Sequence, residues 1–181
     1  MQRLTRITIA AALALACLPA AIAAAEPPAP SVPPEIAVPE GNKLFLVGHA
    51  VGVQIYRCNA TAGGYGWGFV GPRAELYADN GKRITTHYAG PTWQAKDGSI
   101  ARGSNAKPVT VDPSAIPWLR LAATGTAGPD GDRLAGTTFI QRLATTGGLI
   151  PPAEQCHAGT VGNENEVPYT ADYTFWKAAG A

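Results

Sequence analysis

The run His87-Tyr88-Ala89-Gly90-Pro91-Thr92-Trp93, followed by Asp97, puts an imidazole, an indole and a carboxylate on one turn-rich connection. Connections of that kind commonly hold binding and catalytic groups. An indole exposed after Gly-Pro would stack on a sugar or another flat apolar ligand. Trp67 and Arg142 are the side chains expected to join His87, Trp93 and Asp97 in such a ligand-binding patch. A plainer reading has Trp93 plugging one end of a β core while His87 satisfies a backbone carbonyl. An enzymatic reading centres a small hydrolytic or metal-assisted site on His87, with Asp97 and Arg142 beside it.

Other chemistry is thinner. His49, His87 and His157 lie dozens of residues apart, with no H-x-H or H-E-x-x-H pair to seed a metal site. Neither a metal nor a cofactor is expected. Asp130-Gly131-Asp132 lacks the further oxygens and distal glutamate of a calcium loop, and reads as a turn. Ser99, Ser104 and Ser114 sit in no G-x-S-x-G elbow. A triad of His87, Asp97 and Ser99 has no spacing rule behind it, because triads are recognised by geometry. Glu75 with Asp97 would be a glycosidase pair, but carboxylates in a small β protein are usually solvated. Binding is therefore the leading expectation and catalysis the alternative.

The start of the chain bears on where that chemistry happens. Arg3 and Arg6 precede an apolar run from Ile7 to Ala16, Pro19 breaks it, and small residues follow at Ala21-Ile22-Ala23 and Ala23-Ala24-Ala25. This is the layout of a secretory signal over residues 1–25, with cleavage near Ala23 or Ala25 and a periplasmic or fully secreted product. Cys17 as a lipidated cysteine is the rival reading, although Leu13-Ala14-Leu15-Ala16 fits a lipoprotein box poorly. No later run is apolar enough to span a bilayer. Cleavage would remove Arg3 and Arg6 from the 14 basic residues, leaving 12 against 13 acidic. That balance argues against nucleic acid and against a polybasic membrane patch. It would also leave Cys58 and Cys156 as an even pair in an oxidising compartment, which is most simply a disulfide.

The elements that must position these groups are strands. Residues 26–41 hold six of the 16 prolines and read as an extended, semi-rigid leader, a plain spacer before a β domain over 42–181. Lys43 to Ala50 and Val51 to Cys58 alternate with period two, with Gly48 and Gly52 as breaks or bulges. Val51, Val53 and Ile55 fall on one face, Gln54 and Tyr56 on the other. Tyr65, Trp67 and Phe69 share a face, with glycines between them; such a stripe is a binding platform or, more commonly, core. Asn80-Gly81 between Ala74–Asp79 and Lys82–Tyr88 predicts a two-residue type I′ hairpin. Further strands are expected over Trp118–Ala123, Thr137–Ala144 and Tyr169–Lys177, the last with Tyr169, Ala171, Tyr173 and Phe175 on one face. No stretch shows a capped helical period. The expected fold is an all-β, single-domain antiparallel β-sandwich or a flattened β-barrel, with one disulfide.

Gly52-Val53-Gln54-Ile55-Tyr56-Arg57-Cys58, the run from His87 to Trp93, Ile116-Pro117-Trp118-Leu119, Ile140-Gln141-Arg142, Thr146-Gly147-Gly148 and Val167-Pro168-Tyr169-Thr170-Ala171 carry a resemblance. With Trp67 and Asp97-Gly98-Ser99, they resemble the secreted bacterial and fungal family named domain of unknown function 3455, over nearly the whole chain after residue 25. The resemblance implies an exported single-domain protein and no established activity. Some fungal relatives carry a malate dehydrogenase label, but this chain has no G-x-G-x-x-G turn and no alternating βα pattern to hold a dinucleotide. The expected role is an extracytoplasmic ligand-binding or surface-associated module, meeting a carbohydrate or a small apolar ligand. The alternative is a small secreted hydrolase or metal-assisted enzyme centred on His87.

Overall fold

Each of eight antiparallel strands pairs with the next, and the last pairs back onto the first, in a computed structural model that describes residues 28–180. The expected signal segment and Cys17 lie outside the described residues. The strands are β1 (Asn42–Thr61), β2 (Gly64–Tyr77), β3 (Arg83–Tyr88), β4 (Thr92–Ala95), β5 (Ile100–Val109), β6 (Trp118–Thr126), β7 (Thr137–Gly147) and β8 (Glu164–Ala178). Of the two expected all-β architectures, the barrel is the one formed. Its closing seam is the pairing of β1 with β8, from Asn42 opposite Ala178 to Arg57 opposite Glu164. Closure leaves no open sheet edge. Among the described residues the only helical segments are three short 3₁₀ turns, and no helix is long and apolar enough to cross a membrane.

The two segments expected before Cys58 are one continuous strand, and the glycines expected to break it instead let it coil tightly. A Cβ at Gly52 would lie 2.3 Å from the Arg73 carbonyl oxygen, and one at Gly48 would lie 2.9 Å from Ile84 Cδ1. Strongly coiled strands need such close approaches to shut a small barrel. The face of β1 that turns inward carries Ala50, Gln54 and Tyr56, all buried, while Val51 on the opposite face is 60% exposed. On β8 the inward face is the expected one, and Tyr169, Ala171, Tyr173 and Phe175 all enter the core. Leu76, Trp93, Leu121 and Ile140 meet them there.

Two local expectations are corrected. Gly81 has φ +74° but Asn80 is not in the left-handed region. Gly81 N–H donates to the Ala78 carbonyl and Ala78 N–H to the Lys82 carbonyl. The hairpin is thus a three-residue loop with glycine alone in the left-handed position, not a type I′ turn. The leader is not a plain spacer either. Its 3₁₀ turn Pro34–Ile36 buries Ile36 completely. The Ile36 carbonyl accepts from Gln141 Nε2 at 2.7 Å, and the Ala37 carbonyl accepts from Arg120. Gln141 Oε1 in turn accepts from Thr174 Oγ1 and Trp176 Nε1. The leader's 3₁₀ turn packs against β5 and β6, and its carbonyls satisfy polar side chains of β6 and β7.

Candidate functional site: the open end of the barrel

Up-and-down order sends the β1–β2, β3–β4, β5–β6 and β7–β8 connections to one end of the barrel, and the other four connections to the opposite end. At the first end lies a cavity of about 370 Å³ to which every strand contributes. Gln54 of β1, Phe69 and Gly71 of β2 and His87 of β3 line one side. Trp93, Ala106, Leu121, Arg142 and Tyr173, from β4 to β8, line the rest. Gly90 and Pro91 close the rim in the β3–β4 turn. Phe69 and Val70 at the lip are 59% and 41% exposed. An eight-stranded barrel is just wide enough to be filled by side chains or to hold one small ligand. Here the end bearing the β2–β3 and β4–β5 turns is filled and the other is hollow.

The expected site residues divide. His87, Trp93 and Arg142 converge on the cavity, whereas Asp97 and Trp67 do not reach it. Asp97 sits in the β4–β5 turn at the filled end. Its carboxylate accepts from Ser99 N–H, Ser99 Oγ at 2.6 Å and Arg133 N–H, and these bonds, the Ser99 side chain first, hold it below the usual carboxylate range. It organises a turn. Trp67 lies on the long β1–β2 hairpin opposite Cys58, and its Nε1–H donates to the Pro152 carbonyl. Beside it the Cys58–Cys156 disulfide ties β1 to the β7–β8 connection. The Tyr65-Trp67-Phe69 stripe is not core, since Tyr65 and Phe69 are exposed, although Phe69 packs against Tyr56 with ring centroids 5.5 Å apart.

Trp93 is 1% exposed and His87 4%. Their rings stack with centroids 4.1 Å apart and planes 5° apart, with Tyr173 edge-on to both. His87 Nδ1–H donates to the Thr92 carbonyl at 2.9 Å, which fixes the tautomer and leaves Nε2 as an acceptor. Burial, reinforced by the Arg142 charge, pushes its pKa down to about 3. The ring is therefore a neutral, stacked wall.

Apart from the His87 Nε2 lone pair, the polar groups left over at the cavity are donors. Gln54 Nε2 and Trp93 Nε1 are buried and have no hydrogen-bond partner. Arg142 is half-buried, and its Nε and Nη2 both donate to the Pro117 carbonyl, at 3.1 and 2.8 Å. Among the described residues Arg57, Arg73 and Arg83 each carry a carboxylate partner, and Arg142 carries none. Its charge instead reaches Tyr56, Tyr169 and Tyr173, whose phenols burial pushes up. Unpaired polar groups in an apolar enclosure are costly, and each calls for an explanation.

Gln54 and Tyr173 were not singled out in advance. The visible signal for Gln54 was an amide on the same strand face as Gly52 and Tyr56, inside an otherwise apolar run.

Elsewhere the other candidates are structural. His49 bridges Asp172 and Asp79 on the outer surface, His157 Nδ1 accepts from Gly159 N–H, and Glu75 accepts from Tyr77 and Arg83. His87 is apart from both Asp97 and Ser99, so that paper triad is not assembled. Among the described residues, no group of three or more His, Cys, Asp or Glu side chains is placed to hold a metal ion.

A model of a family described as a protein of unknown function, DUF3455, matches residues 39–177. No curated protein and no solved structure matches the chain.

Proposed function

The chain belongs to the DUF3455 family, and we propose that its barrel is an extracytoplasmic binding module that takes one small ligand into its open end. One observation carries this reading: a largely apolar cavity of about 370 Å³ surrounds the Gln54 amide and Trp93 indole N–H groups, which have no acceptor, and the Arg142 guanidinium, which has the Pro117 carbonyl but no carboxylate beside it. That volume lies in the usual range for ligand pockets, and such pockets pair an apolar lining with a few convergent polar groups. The lining of Phe69, Pro72, Pro91, Leu119 and Leu121 suits a flat apolar body better than a carbohydrate, whose hydroxyls would need many more partners. Binding also fits better than hydrolysis. His87 has a backbone carbonyl where a catalytic histidine has a carboxylate, and no nucleophile stands beside it. Export accords with the signal-like start and with a disulfide, which persists in oxidising compartments.

The test uses N-phenyl-1-naphthylamine, a neutral apolar fluorophore, titrated into the purified protein. Saturable, single-site binding with enhanced emission and quenched tryptophan is expected. Ala106→Trp, at an exposed rim position, blocks the opening and abolishes the signal while leaving the circular dichroism spectrum intact. Absent binding, or binding unchanged in that variant, contradicts the reading.

A further inference from the structure

We infer that the ligand is a carboxylate on a compact apolar or aromatic body, with its head at Arg142, Gln54 and Trp93 and its body against the apolar wall. This rests on the barrel being a ligand site, and adds the chemical class. An amide N–H and an indole N–H have no partner, and a guanidinium bonded only to neutral oxygen has no counter-charge. All three donate, and the guanidinium also carries charge. A group with only acceptors and a negative charge satisfies them together, and a carboxylate is the common one. A neutral carbonyl would satisfy the N–H groups but leave the charge without an opposite. No side-chain carboxylate lines the cavity to repel such a ligand. Both ends of the cavity's chemistry match: donors lie inside the barrel on β1, β4 and β7, while exposed Phe69 and Val70 at the lip receive the apolar body.

The ligand must be compact, because stacked His87 and Trp93 form a flat wall with Tyr173 edge-on behind them, and the space in front holds one or two fused rings rather than a long chain. The test compares 2-naphthoate with 2-naphthamide at neutral pH, two molecules of nearly equal shape that differ in charge. Tryptophan quenching is the readout for the intact protein. Naphthoate is expected to bind about tenfold tighter or better, the scale of one charge-assisted hydrogen bond. Arg142→Met removes that preference by weakening naphthoate and sparing naphthamide. Because Arg142 also holds the Pro117 carbonyl, Gln54→Met provides a second variant at a side chain with no partner to lose; it weakens naphthoate several-fold. Equal binding of the two probes, or binding of neither while N-phenyl-1-naphthylamine still binds, overturns the carboxylate assignment and leaves the ligand-binding barrel standing. Failure of all three probes removes both.

Discussion

Gln54 places an unpartnered amide nitrogen inside the barrel, which is a destabilising choice. A buried amide nitrogen without a partner costs about 1–3 kcal/mol, so Gln54→Met is expected to raise the stability of the free protein by about 1–2 kcal/mol in urea unfolding. A loss of stability would show that the amide is satisfied after all. His87 makes a prediction of definite sign. Burial holds its pKa near 3 against the ordinary 6.5, so the unfolded chain binds a proton that the folded chain refuses. The stability it permits is complete above pH 6.5 and falls as pH drops toward about 3, at about 1.4 kcal/mol per pH unit. His49 runs the other way. Its bonds to Asp172 and then Asp79 raise its pKa, so its contribution is present below 6.5 and fades as pH rises through the raised value. Stability of His87→Phe, measured at mildly acid and at neutral pH, should lack the acid decline, whereas His49→Gln should keep it. His87, Trp93 and Arg142 were identifiable as residue types before the fold was known. Asp97 was misplaced because closeness in sequence to Trp93 says nothing about opposite ends of a strand.

At the scale of elements, the leader is the clearest lesson. Its prolines announce stiffness, and a stiff polar segment reads as a spacer; the one side chain its 3₁₀ turn buries is Ile36, whose burial no periodicity announces. Ile36→Ala is expected to cost about 2–5 kcal/mol in chemical denaturation, and an unchanged midpoint would restore the spacer. The strands β1 and β8 were readable, since alternation is their signal. β4 has only four residues, Thr92–Ala95, and so offers no alternation to detect. β5 escaped for a different reason: Arg102 and Ser104–Pro108 face solvent, so its pattern is that of a polar loop. The hairpin at Asn80-Gly81 was located correctly, but its type was not. Ala78 bonding to Lys82 adds a loop residue and shifts the pairing between Leu76 and Tyr77.

For the whole molecule, period-two patterning tells which residues share a face, and it does not tell whether a sheet folds over or closes. That is why sandwich and barrel were both left standing. Closure depends on the β1–β8 seam and on glycines such as Gly52, where a side chain would collide with Arg73 and Ala74. The disulfide secures the high wall at the open end. Bridging residues 98 apart in sequence, it should contribute about 4–5 kcal/mol by chain entropy. The Cys58→Ser/Cys156→Ser protein should lose stability on that scale in guanidinium unfolding while keeping its strand content. A change within experimental error would show that the barrel needs no such tie. On the proposed reading the hollow end is the binding end, and one spectrum probes it. The four tryptophans give separate indole N–H signals in a proton–nitrogen correlation spectrum. Trp67 and Trp176 donate to Pro152 and Gln141, and Trp93 donates to nothing. Adding 2-naphthoate should shift the Trp93 indole signal downfield in a saturable way and leave those of Trp67 and Trp176 in place. A Trp93 signal that stays still at saturating probe would contradict a ligand site inside this barrel.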